Sequence, residues 1–253
     1  MNELSRIHYF KLIAKNIKQI FAMKYLNQSS TALLFILTIV SCKKDNQLQQ
    51  QASLNVVNAA INVASVKVNY FGESVVYATF DPINYGANKV YTVGAGSVFI
   101  TIVPTADTLN PIYDKTILTE AGGVYSLFLA GQSPIVDTLF VTDAIPYRSD
   151  SSAGVRFINL SVNSSPVSIN ILGNPNGSEV ASLPYKTITD FKTYPARSAN
   201  GTYKFEVRDA TSGALLVTYS LSTPRFNNVT LVLKGLLGGS GSTVLGIQRV
   251  NNY

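Results

Sequence analysis

Leu54-Asn55-Val56-Val57-Asn58 recurs 101 residues later as Val155-Arg156-Phe157-Ile158-Asn159, and this pair of segments decides the fold. The register continues without a gap: Val66, Val68, Tyr70 and Gly72 fall on Val167, Ile169, Ile171 and Gly173. Farther along, Gly96-Ser97-Val98-Phe99-Ile100-Thr101-Ile102 aligns with Gly201-Thr202-Tyr203-Lys204-Phe205-Glu206-Val207. Tyr125-Ser126-Leu127-Phe128-Leu129-Ala130-Gly131 then aligns with Val229-Thr230-Leu231-Val232-Leu233-Lys234-Gly235. The offset drifts only slightly, which places the insertions in loops. A spacing of about 100 residues is that of a tandem domain, too long for a solenoid repeat.

Within each copy the hydrophobic period is two. Val66, Val68 and Tyr70 alternate with Lys67 and Asn69; Tyr203, Phe205 and Val207 alternate with Lys204, Glu206 and Arg208. That pattern predicts strands with one face on a core and one in water. Asp81-Pro82, Asn176-Gly177, Asn200-Gly201 and Ser212-Gly213 supply turns between the runs. About seven short strands in about 100 residues fit a β-sandwich. The expectation is an all-β chain: two tandem Ig-like antiparallel β-sandwich domains after an N-terminal signal helix.

The ends of these domains follow from composition. Residues 53–147 form the first sandwich and 153–253 the second, joined by the polar linker 148–152, which is expected to leave some freedom between them. Residues 42–52, beginning Cys42-Lys43-Lys44-Asp45-Asn46-Gln47, have no periodicity and read as a flexible tether.

Residues 1–41 read as a leader. Ala32-Leu33-Leu34-Phe35-Ile36-Leu37-Thr38-Ile39-Val40 is too short to span a membrane, which takes about 20 residues, and suits the core of an export signal. It ends at Ile39-Val40-Ser41-Cys42, which resembles the bacterial lipobox. A thiol is needed there to carry a diacylglycerol thioether, and a small neighbour lets the peptidase cut before it. Met23-Lys24 would open a compact signal, so Met23 is the expected initiator. Cys42 is the only cysteine of the 253 residues. Lipidation there would hold the chain to a bacterial envelope membrane, as an outer-membrane lipoprotein facing either the periplasm or the outside.

Charge supports no nucleic-acid role. The formal net charge is +6, but Arg6, Lys11, Lys15, Lys18 and Lys24 precede Cys42. From Cys42 onward 15 basic residues face 13 acidic ones, and no electrostatic footprint for nucleic acid remains.

The opening Leu-Asn-Val-Val-Asn-Ala-Ala and Val-Arg-Phe-Ile-Asn-Leu-Ser segments, each followed by a Val-x-Val or Val-x-Ile strand (Val66-Lys67-Val68, Val167-Ser168-Ile169), resemble a lipoprotein domain family. It is numbered 4397 among the domains of unknown function, and Cys-Lys-Lys-Asp after the lipobox resembles lipoproteins of the Bacteroidetes type. The resemblance implies an exported β-sandwich and carries no functional residues to transfer.

Chemistry-bearing groups are sparse. His8, the only histidine, lies in the leader, so nucleophilic catalysis would lack its usual base. Gly238-Gly239-Ser240-Gly241-Ser242 has Ser where a nucleophile elbow needs its last Gly, and reads as a loop. Asp107 with Asp114, and Asp137 with Asp143, are close enough in sequence to be weighed as carboxylate pairs. Asp137, Asp143 and Asp150 at the domain junction offer a Ca²⁺ reading, but their spacing matches no EF-hand loop. Neither reading displaces the simpler one of solvated acids, so no cofactor and no catalytic residue is expected. Asp107-Thr108-Leu109 and Asp137-Thr138-Leu139 resemble O-glycosylation sites of exported Bacteroidetes proteins. Asn58 and Asn159, matched across the repeat, are expected to bond backbone at a strand-to-loop corner. Tyr85, Tyr147, Tyr185 and Tyr194 lie near Pro, Gly or polar loop residues and are the candidate ligand-binding side chains. The expected role is a non-catalytic binding or structural module. The alternative is a glycan-binding or adhesion component of a surface uptake system, with polysaccharide or another envelope protein as partner.

Overall fold

The computed structural model describes residues 50–73, 75–197, 201–223 and 225–252. The expected signal helix, Met23, Cys42, most of the tether and Asn200 lie outside the described residues. Among those described there are 17 strands and no α-helix.

The first half contains β1 (Gln51–Asn58), β2 (Ser65–Asn69), β3 (Ile83–Asn84), β4 (Asn88–Gly94), β5 (Gly96–Pro104), β6 (Tyr113–Thr119), β7 (Val124–Gln132) and β8 (Ile135–Thr142). A sheet of order β4-β1-β7-β8 covers one of order β3-β2-β5-β6. The second half contains β9 (Ser152–Asn159), β10 (Val167–Ile171), β11 (Val180–Leu183), β12 (Thr187–Ile188), β13 (Lys192–Pro195), β14 (Thr202–Asp209), β15 (Leu215–Ser222), β16 (Asn227–Lys234) and β17 (Gly246–Asn252). Here the order β12-β9-β16-β17, with β13 also on β9, covers β11-β10-β14-β15. The repeat read from the sequence is thus a repeat of sheets. Two details differ from the expectation. Each sandwich holds one parallel pair at its centre, β1 with β7 and β9 with β16, where wholly antiparallel sheets were expected. Gln51 and Ala52, placed in the tether, already pair with Gly94 and Val93.

Alternation explains each sandwich core. Leu54 and Val56 of β1 meet Val66 and Val68 of β2, Ile100 and Ile102 of β5, and Leu127 and Leu129 of β7. Val155 and Phe157, Val167 and Ile169, Phe205 and Val207, and Leu231 and Leu233 do the same in the second half. Full burial of each such side chain is worth about 1.5–3 kcal/mol.

The other faces of β1 and β9 are not in water. Val57, Ala59, Phe128 and Ala130 of the first half pack with Ile158, Leu160, Val232 and Val250 of the second in a third buried cluster. Every residue of β9 is buried, as are the last five of β1. The four sheets therefore stack as four layers, with the first-strand sheets of the two halves face to face at the centre. Unbroken apolar runs such as Val56-Val57 and Phe157-Ile158 belong to strands covered on both sides. The wet face that alternation predicts survives on the two outer sheets, where β6 reads buried at Tyr113, Ile117 and Thr119 and exposed between them.

The linker is tied to the second sandwich by hydrogen bonds. Arg148 donates from Nε to Asn228 Oδ1 (3.1 Å) and from Nη1 to Thr193 Oγ1 (2.6 Å), and Ser152 N–H bonds Asp150 O (2.8 Å). Polar composition suited loose chain, but here its side chains find partners on the second sandwich.

Candidate functional site at the seam between the halves

The seam is apolar in the middle and polar at both ends. At the end where the chain enters β1, Arg156 Nη2 donates to Asp143 Oδ1 at 2.6 Å, both side chains almost fully buried. Ser126 Oγ donates to the other carboxylate oxygen (2.6 Å). Arg156 Nε donates to Thr230 Oγ1 (2.8 Å), whose hydroxyl donates to Asn252 Oδ1 (2.6 Å). The guanidinium also lies 4.5 Å from the centre of the Phe191 ring. Asp143 comes from the first half and Arg156 from the second, so the pair fixes the register between them. At the opposite end Asp137 of β8 accepts from Tyr185 Oη (3.1 Å) and pairs with Lys186 Nζ (3.2 Å). Lys234 Nζ sits 4.1 Å above the Tyr85 ring, and burial lowers the lysine's pKa.

Beside the Asp143–Arg156 pair the seam opens into a cavity of about 290 Å³. Both halves build it, with Asn55, Val90 and Tyr147 from one and Phe226, Asn228 and Asn251 from the other among its walls. Tyr147 stands 92% exposed at the mouth. Phe226 is held at φ 61°, a left-handed conformation costly for a bulky side chain, with its N–H bonded to Ser152 O (2.9 Å). Asn228 Nδ2 donates to Pro146 O (2.9 Å), which shapes the wall behind Tyr147.

The four candidate tyrosines separate. Tyr147 has the exposure expected of it. Tyr185 and Tyr85 lie half-buried at the far end of the seam, where Tyr85 lines a hollow of about 450 Å³ with Asn62 and Thr243. Burial, then the charge of Asp137, pushes the Tyr185 hydroxyl up. Tyr194 is the correction: it is 3% exposed, in the second core, donating to Glu179 Oε2 (2.6 Å). Its neighbour Pro195 suggested a loop, but β13 carries it inward against β9, where burial and then Glu179 raise its pKa.

Asp137 and Asp143 are each engaged with a base across the seam, and Asp150 accepts from Ser152 Oγ. Asp107 bonds Asn110 (2.7 Å), and Thr108 beside it is exposed on a turn, whereas Thr138 is half-buried in β8. Among the described residues no group of three His, Cys, Asp or Glu is placed to hold a metal. Asn58 and Asn159 do what the repeat implied: fully buried, they donate to Ile83 O (3.2 Å) and Leu183 O (3.1 Å) and accept from Ala60 N and Ser161 N. Arg156, Arg148 and Phe226 were not foreseen. The available signal was Arg156 itself, a cation inside an otherwise apolar strand.

No family model and no curated protein matches the chain, so the resemblance above stands on the quoted residues alone. Among solved structures, a family 26 carbohydrate-binding module of Eubacterium rectale in complex with maltoheptaose matches at TM-score 0.24 and 7% identity, over 73% of this chain and 92% of that one. The TIE protein of Bacillus anthracis matches at 0.22 and 10%, over 74% and 33%. A proposed adhesin of Bacteroides ovatus matches at 0.19 and 14%, over 82% and 98%. At these TM-scores the likenesses carry no functional argument.

Proposed function

We propose that the chain is a lipid-anchored, non-catalytic binding module of a bacterial envelope that takes a saccharide in the seam cavity. The observation that carries this reading is the cavity itself: the two halves jointly line an open space where amides meet aromatic and aliphatic walls. Such mixed lining suits a ligand with hydroxyls on its edge and C–H groups on its faces. The strained Phe226 supports it, since costly backbone conformations persist where function needs them. Non-catalysis is supported by Asp143, the single carboxylate at the cavity among the described residues, which already holds Arg156 and Ser126. Anchoring is supported by the lipobox-like Ile39-Val40-Ser41-Cys42 alone.

Two measurements test the reading. Tyr147→Ala is expected to weaken retention on the bound polysaccharide about tenfold while leaving the melting transition unchanged; equal retention contradicts the seam site. Metabolic acyl labelling is expected on the wild type and not on Cys42→Ser; an unlabelled wild type contradicts the anchor.

A further inference from the structure

The two halves serve as controls for each other, and one loop breaks their equivalence. Asn69 and Asn170 are matched by the repeat, and both donate to the carbonyl four residues on, Glu73 O (2.9 Å) and Asn174 O (3.4 Å). Gly72 and Gly173 turn the chain at φ 73° and 89°. From this shared turn the first half runs Tyr70-Phe71 and then Val76-Tyr77-Ala78-Thr79-Phe80. The residues 101 positions on are Ile171-Leu172 and Gly177-Ser178-Glu179-Val180-Ala181. The second sandwich closes without rings at the positions of Phe71, Tyr77 and Phe80, whereas Tyr70, like Ile171, packs partly against its own core.

In the first half the rings form a connected surface. Tyr70 and Phe71 stack at 4.4 Å, Phe71 meets Phe80 at 6.2 Å, and Phe80 meets Tyr77 at 6.0 Å. Phe71 is 58% and Val76 71% exposed. Lys67 Nζ braces the segment by donating to Tyr77 O (2.6 Å), and the exposed Lys89–Asp81 pair (2.9 Å) borders it.

We propose that Tyr70, Phe71, Tyr77 and Phe80 form a second binding surface, for the pyranose rings of a neutral polysaccharide, on the flank of the first sandwich. An aromatic face is electron-rich and attracts the C–H face of a sugar, while the bordering charges reach its hydroxyls. The surface rests on the binding-module reading but not on the seam cavity, which lies elsewhere in the molecule.

The test is affinity electrophoresis of the full chain, in detergent, through gels holding a starch-type glucan, a mixed-linkage β-glucan, a xylan or a galactomannan. The main variant is Phe71→Leu/Val76→Gly/Tyr77→Ser, which carries the second half's residues in the same turn. Phe71→Leu alone serves if the triple variant melts early, and Tyr147→Ala reports on the seam. The wild type is expected to be retarded by at least one polysaccharide. The loop variant should lose about tenfold in affinity, and Phe71→Leu several-fold, with Tyr147→Ala still retarded at the flank. Retardation that survives the loop variant, or that only Tyr147→Ala abolishes, overturns the flank surface and leaves the seam reading standing. A wild type retarded by none of the four overturns the flank surface.

Discussion

Asp143 and Arg156 illustrate how one pair of side chains can set the arrangement of a duplicated protein. Buried charges cost several kcal/mol each to desolvate, and attraction offsets this only when the remaining hydrogen bonds are made. Ser126 and Thr230 make them here. Arg156→Leu should therefore cost about 3–5 kcal/mol by stranding Asp143, whereas Arg156→Leu with Asp143→Leu should recover much of that loss; denaturant melts of the two variants check it. The matched asparagines follow the same logic without charge. Asn159→Ala leaves Leu183 O and Ser161 N without their partner and should cost about 1–3 kcal/mol by the same measurement. Hydrogen bonding from Asn170, then from Arg208, holds Glu206 below its ordinary pKa, and backbone and hydroxyl bonds from Ser212 do so for Asp209. Depressed carboxylates stabilise the fold above the ordinary range and lose that contribution as pH falls through their native values. Stability should therefore fall below about pH 4, and Glu206→Gln should flatten that slope in a pH series of melts. A slope unchanged by Glu206→Gln would assign it to other groups.

Strands β1 and β9 show where sequence reading reached its limit. Their repeat, their alternation and the corner asparagines were all legible, because each is a local pattern with a local cause. Burial of the second face was not, because a partner sheet 101 residues away in sequence leaves only a weak trace: apolar residues where polar ones belong. Val57 and Ile158 are that trace. The same limit explains Tyr194, whose flanking Pro195 reads as a loop while the pairing of β13 with β9 turns it inward. Asp137 and Asp143 were legible as neighbours, but only the stacking of layers shows that each faces a base across the seam. Gly154 tests the packing of β9 directly. A Cβ there would collide with Asn228 Oδ1 and the Arg148 guanidinium, which hold the linker and the cavity wall. Gly154→Ala should destabilise by about 1–3 kcal/mol and open the cavity, read as a lower melting midpoint together with weaker saccharide retention. A variant that melts like the wild type would show that the linker yields freely.

At the scale of the whole molecule, two sandwiches become one body because their central sheets have no face left for water. Val57, Phe128, Ile158 and Val232 would be exposed in either half alone. A contiguous apolar surface of that kind is not tolerated on an isolated domain, so the halves should unfold together. That packing holds the two walls of the proposed seam site against each other. The most direct measurement is a distance distribution between spin labels on the two outer sheets, at Leu118→Cys on β6 and Leu215→Cys on β15, with Cys42→Ser to leave only those thiols. Both positions are exposed, at 71% and 51%. Four locked layers predict one narrow distribution, unchanged by ionic strength. A broad or two-peaked distribution would mean that the halves move independently, and would contradict the account.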